Sequence, residues 1–178
     1  MTQDFPRIEI RLKELPQLFN SLDPSPFYER DLDQDAEDFI VGWALEFPQN
    51  SRYSLVVHVP KSELERADSK DVEGAIHRHF ERRHDLKQKE LKEFLRVGRR
   101  SLTVGLGVLA TCFALGGAVS NWIPQGVVQG LVQESLLILG WVANWRPIEI
   151  FLYDWWPIAR RRNLFRQLST APVLFEPH

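Results

Sequence analysis

Residues 101–145 read SLTVGLGVLATCFALGGAVSNWIPQGVVQGLVQESLLILGWVANW. The stretch holds no Lys or Arg and one acid, Glu134, and Ser120-Asn-Trp-Ile-Pro-Gln-Gly126 divides it into two apolar runs. Leu102 to Trp122 is 21 residues and Val127 to Trp145 is 19, each close to the ~20 that a helix needs to cross the hydrocarbon core of a bilayer. A chain of 178 residues is too short to surround two such helices with protein. The pattern therefore predicts a transmembrane hairpin, with one helix over 101–122 and a second over 126–146.

The flanks carry the orientation. Residues 78–100 hold nine Lys or Arg, among them Arg96, Arg99 and Arg100, and Arg146 with Arg160, Arg161 and Arg162 follow the second run, whereas the turn at 121–126 has no positive charge. Basic loops stay on the cytoplasmic side, so both termini are expected in the cytoplasm. Trp145, Trp155 and Trp156 are of the aromatic type enriched at the water interface. Segregated basic charge beside an apolar span suits anionic headgroups better than nucleic acid. The expected partners are a lipid bilayer with anionic headgroups and either further copies of the chain or a partner membrane protein, with no nucleic acid.

The remainder divides into a domain over 1–80, a basic helical neck over 81–100, and an interfacial amphipathic segment and tail over 147–178. The mean hydropathy of −0.26 averages these unlike parts. Arg7-Ile-Glu-Ile-Arg-Leu12 alternates with period 2, the mark of a strand with one buried face. Leu15, Leu18, Phe19 and Leu22 predict a short helix that stops at Asp23-Pro-Ser-Pro26. Ala36, Phe39, Ile40, Trp43 and Phe47 form a helical stripe closed by Pro48. Tyr53-Ser-Leu-Val-Val-His-Val59 is nearly all apolar, as a central strand is, and Val72, Ile76 and Phe80 give the next helix an apolar face. The expected fold class is α+β: a small α/β-type cytoplasmic domain ordered β-α-α-β-α, with Val173-Leu-Phe175 as a third strand if the tail returns, followed by the two-helix hairpin and the interfacial segment. The start Met1-Thr-Gln-Asp-Phe-Pro6 has neither the basic nor the apolar region of a signal peptide.

Asp23-Pro-Ser-Pro-Phe27 with Arg30-Asp-Leu-Asp33, and Trp145-Arg-Pro-Ile-Glu-Ile-Phe-Leu-Tyr-Asp-Trp-Trp-Pro157, resemble stretches in uncharacterised small bacterial membrane proteins with two transmembrane helices. That resemblance implies a bacterial inner (cytoplasmic) membrane and carries no activity with it.

Within the spans, Thr103, Gly107, Ala110, Ala114 and Gly117 lie on one stripe, and Gly130 and Gly140 contribute to a second, of the small-residue kind that lets helices approach closely in lipid. Two uses are expected: packing within the hairpin, or assembly. Gln133, Glu134 and Asn144 are polar residues at membrane depth. An acid there costs about 2.5–3.5 kcal/mol on insertion scales, so Glu134 is expected to face a cavity, a partner or a polar neighbour such as Gln133, or to reach toward the outer interface.

No nucleophile elbow, P-loop, HExxH or CxxC is present. Asp31-Leu-Asp-Gln-Asp35 imitates the opening of a calcium loop, but Ala36 stands where the turn needs Gly and Gly42 where it needs a bidentate Glu. His77, Glu81 and His84 share a helical face, yet His77 and His84 are separated by about 10.5 Å of rise, too far for one ion. Cys112 lies within the first span and has no partner for a disulfide. The expectation is no metal, no cofactor and no enzyme. The expected role is that of a membrane scaffold or assembly protein acting by self-association or as an accessory subunit, with a homo-oligomeric channel or transporter component, or a membrane-anchored ligand-sensing domain, as the alternatives.

Overall fold

A computed structural model describes residues 6–21, 30–48, 51–64 and 69–177. The fold is mixed and mostly helical: a small sheet and two long apolar helices. Its elements are β1 (Arg7–Arg11), a 3₁₀ turn (Leu15–Leu18), α1 (Gln34–Glu46), β2 (Ser54–Val59), α2 (Lys61–Leu64), α3 (Ser69–Trp122), α4 (Val127–Val142), α5 (Trp145–Glu149), a π turn (Ile150–Asp154), α6 (Trp155–Leu168) and β3 (Val173–Pro177). The chain forms two compact units, residues 1–87 with 160–178, and residues 88–159.

In the first unit the three strands are parallel and ordered β1-β2-β3. Ile8, Leu55 and Val173 share one register row, and Ile10, Val57 and Phe175 the next. Alternation along β1 buries Ile8 and Ile10 while Arg7, Glu9 and Arg11 stay exposed. β2 is buried along almost its whole length, as a strand flanked on both sides is. Against the sheet pack Ile40 and Ala44 of α1, Val72, Ala75, Ile76 and Phe80 of α3, and Leu164, Phe165 and Leu168 of α6. Phe80 stacks on Phe165 with ring centroids 6.1 Å apart.

Parallel neighbours need a crossover, and the β2–β3 crossover is unusual. It leaves through α2 and the start of α3 and returns through the end of α6, so the apolar helices are an insertion within it. Residues 160–178 belong to the first unit, and Val173–Pro177 returns as the third strand beside β2.

Local differences have local causes. The Leu15–Leu18 helix is only a 3₁₀ turn with Pro16 in its first turn, and the expected stop at Asp23–Pro26 lies outside the described residues. Asp33 caps α1 by accepting the Asp35 N–H at 3.0 Å. The buried face of α1 is Glu37, Ile40 and Ala44, leaving Phe39 and Trp43 of the expected stripe half exposed. α4 ends at Val142, ahead of Pro147, which lacks the N–H that a continuous helix would direct to Ala143 O; in α5 Pro147 lies in the first turn, where a missing N–H costs no helical bond. The π turn falls just before Pro157, which lacks the N–H that a regular helix would direct to Tyr153.

Candidate membrane-packing site

Two helical stretches, Ser69–Val119 and Val127–Leu168, contain windows long and apolar enough to cross a membrane, and only 11% of each window is buried. The core helix of a soluble protein would be mostly covered. Here Val104, Leu106, Phe113 and Leu115 of α3 and Val128, Leu131, Ile138 and Val142 of α4 are all exposed.

What the two helices do bury is a narrow seam. On the part of α3 that lies in the second unit the buried positions are Leu91, Gly98, Gly105 and Cys112, one every seven residues, the spacing of a coiled-coil seam. The facing run includes Gln133, Gly140, Asn144, Pro147 and Ile150. Gln133 Nε2 donates to Gly116 O at 3.0 Å, and Asn144 Nδ2 to Gly105 O at 3.0 Å and to Gly140 O at 2.9 Å. The two polar side chains thus spend donors on main-chain carbonyls of the opposite helix. Asn144 is 4% exposed, and its Oδ1 has no hydrogen-bond partner.

Three glycines of this seam are closely covered. A Cβ on Gly105 would lie 2.7 Å from Asn144 Oδ1 and 2.9 Å from Ala143 O; on Gly140, 2.7 Å from Leu109 Cδ1; and on Gly98, 2.6 Å from Ile150 Cγ2.

Of the small residues singled out in the sequence, the structure brings Gly140 into the seam. Thr103, Gly107, Ala110, Ala114 and Gly117 are exposed on the opposite side of α3, and Gly107, Gly117 and Gly130 have nothing within 4 Å of an added Cβ. Gln133 and Asn144 are in the seam, and Glu134 is exposed on α4. Gly98 and Gly105, which complete the seam, were missed. The signal that finds them is the sevenfold spacing that they share with Leu91 and Cys112.

The residues expected at a membrane interface divide by environment. Trp145 donates its indole N–H to Glu149 Oε1 at 2.9 Å, and Arg146 pairs with Glu149 and, at 3.0 Å, with Asp154. Arg146 thus bridges two carboxylates, one in α5 and one at the end of the π turn. Trp155 donates to Phe151 O, Trp156 is exposed, Arg96 pairs with Glu93, and Arg99 and Arg100 are exposed. Arg161 is exposed too. Arg160 donates to Leu45 O in the last turn of α1, and Arg162 to Asn163 Oδ1. Arg160 and Arg162 thus make protein contacts in the first unit, although headgroups were their expected partners.

The first unit holds a second polar cluster. The histidines and acids weighed for metals serve as ties: His77 Nε2 meets Ala171 O at 2.8 Å, His84 Nδ1 meets Arg162 O at 3.0 Å, and Asp33 is the α1 cap. His79, 4% exposed, lies between two carboxylates, with Nδ1 3.0 Å from Asp31 Oδ1 and Nε2 3.1 Å from Glu37 Oε2. Arg82 pairs with Asp31, and Arg83 holds Glu37 Oε1 from Nε at 2.7 Å. Burial works to raise both carboxyls. The hydrogen bonds from His79 and the arginines, with the arginine charges, outweigh it and hold Asp31 and Glu37 below their ordinary values. The cluster opens on a cleft of ≈ 450 Å³ also lined by Asn20, Gln34 and Leu86.

No protein-family model, curated protein or solved structure matches the chain.

Proposed function

We propose that the chain is an integral membrane scaffold or assembly protein, in which the apolar hairpin spans a bacterial inner membrane and carries the α/β domain on the cytoplasmic side. The observation that supports it is the division of the hairpin's surface. Polar groups and tight glycines are spent on the seam between α3 and α4, while the flat Gly107, Ala114 and Gly117 face and the Glu134 side chain remain turned outward. A flat small-residue face permits helix contact in lipid, and an acid at membrane depth favours a polar neighbour over hydrocarbon. Self-association satisfies both. The lack of catalytic motifs and the basic residues 78–100 beside the first span fit a membrane-held assembly role.

The test is native mass spectrometry of the particle extracted into nanodiscs. The expected result is a defined homo-oligomer that Gly107→Leu and Ala114→Leu dissociate into monomers. A wild-type monomer carrying a stoichiometric foreign protein would instead make this an accessory subunit, and a bare monomer would sink the assembly reading. The channel reading is favoured by the outward Glu134: an oligomer in which Glu134→Gln changes ion flux without changing the mass would establish it.

A further inference from the structure

We propose that His79 is a proton-operated clasp, in which one ring nitrogen exchanges a main-chain partner, the Leu32 N–H, for a side-chain partner, the Asp31 carboxylate. Two contacts converge on Nδ1: the Leu32 N–H donates to it at 3.2 Å, and Asp31 Oδ1 lies 3.0 Å away. A single ring nitrogen accepts in one protonation state and donates in the other, so it does not make both bonds at once. The two contacts belong to two states of the ring.

The other nitrogen decides which states these are. Nε2 faces Glu37 Oε2 at 3.1 Å, and Arg83, bonded to the other oxygen of that carboxylate, keeps it ionised and purely an acceptor. Nε2 therefore carries hydrogen throughout. The neutral ring has its lone pair on Nδ1 and takes the Leu32 amide; the imidazolium has N–H at both positions and donates to Asp31 and Glu37 together. The titratable and charged groups facing the ring are Asp31 before α1, Glu37 within α1, and Arg82 and Arg83 of α3. Phe80 meets the ring edge-on.

The backbone on either side of Leu32 is fixed independently. Asn20 N–H donates to Asp31 O and Asp33 N–H to Leu18 O, both at 2.9 Å, and Phe19 and Leu32 form a bridge pair. Exchange at Nδ1 thus changes the bonding of residues 31–33 without displacing their main chain. Uptake of a second proton by the ring therefore moves the attachment of the α1 entry to α3 from the Leu32 main chain to the Asp31 side chain.

The experiment is NMR of the full chain in detergent micelles, following the His79 ring nitrogens and the Leu32 amide from pH 5 to 8. The expected result is a neutral ring protonated on Nε2, with the Leu32 amide proton moving upfield as the ring gains its second proton, in one shared transition. Asp31→Asn, at a half-exposed position, moves that transition to more acid pH and leaves the high-pH amide position unaltered. A neutral ring protonated on Nδ1, a ring that keeps one state across the range, or a Leu32 amide that stays still while the ring titrates would each overturn the proposal.

Discussion

Gly105 and Gly107 are two residues apart on α3 and lie on opposite sides of it, so the same substitution at each separates seam packing from helix propensity. Replacing either by Ala gains the same intrinsic helix preference, which cancels in the comparison. At Gly107 the new methyl meets nothing within 4 Å. At Gly105 it meets Asn144 Oδ1 at 2.7 Å and the Ala143 carbonyl at 2.9 Å, and the second is backbone that yields only if α4 retreats. Overpacking of this kind costs about 1–3 kcal/mol. Lengthening the Asn144 bond to Gly105 O adds about 0.6, and at most about 1.7, kcal/mol for an interhelical bond in a membrane protein. At about 1.4 kcal/mol per tenfold, the two costs together should raise seam opening by roughly 10- to 2000-fold in Gly105→Ala relative to Gly107→Ala. Cys112, the chain's one cysteine, reports it, because its side chain is buried in the seam and 6% exposed. Where reclosing outpaces labelling, its rate of reaction with N-ethylmaleimide in micelles tracks the open population. Equal labelling rates in the two variants would refute the assignment of the seam.

The first unit offers further tests. Asp33→Ala removes the α1 cap and should cost about 0.5–2 kcal/mol in chemical denaturation; no loss would mean that the cap bond to Asp35 is not made. Because the folded values of Asp31 and Glu37 are lowered, their contribution is present above the unfolded carboxyl values of about 4 and is lost as pH falls through the folded values. Thermal stability of this unit should therefore drop in acid below about pH 4, and the Glu37→Gln variant should show a shallower drop, measurable by circular dichroism. Burial raises the Tyr53 phenol well above its ordinary value, so its ultraviolet titration should not begin until the fold is lost in strong base.

Much of the fold was legible from local pattern. Period 2 in Arg7–Leu12, the apolar run before Val59 and the Val72-Ile76-Phe80 stripe each correspond to an observed strand or buried helix face. The inserted crossover was harder to see, because nothing near Val173 records that its neighbour is Leu55, 118 residues earlier by subtraction of the two numbers. Long-range pairing of that kind leaves no periodic trace. Phe39 and Trp43 misled because hydrophobicity alone cannot place a stripe against a particular surface. Glu37 took the buried position on the strength of partners, His79 and Arg83, that lie on another helix.

The hairpin shows why one of two small-residue readings prevails at the seam. Thr103, Gly107, Ala110, Ala114 and Gly117 make a richer small stripe than Gly98, Gly105 and Cys112, and small size alone favours the former. Packing two helices over a long contact asks for more than close approach: the contact must recur at the seven-residue repeat of facing helices, and polar groups buried there need partners at matching depth. Gln133 with Gly116 and Asn144 with Gly105 meet that second condition at two places eleven residues apart on each helix, so both bonds fit one antiparallel register. A seam on the Gly107 face would turn Gly105 O away from α4 and leave the Asn144 amide without that acceptor. The unmet hydrogen bonds outweigh the smaller side chains, and the Gly107 face stays outward.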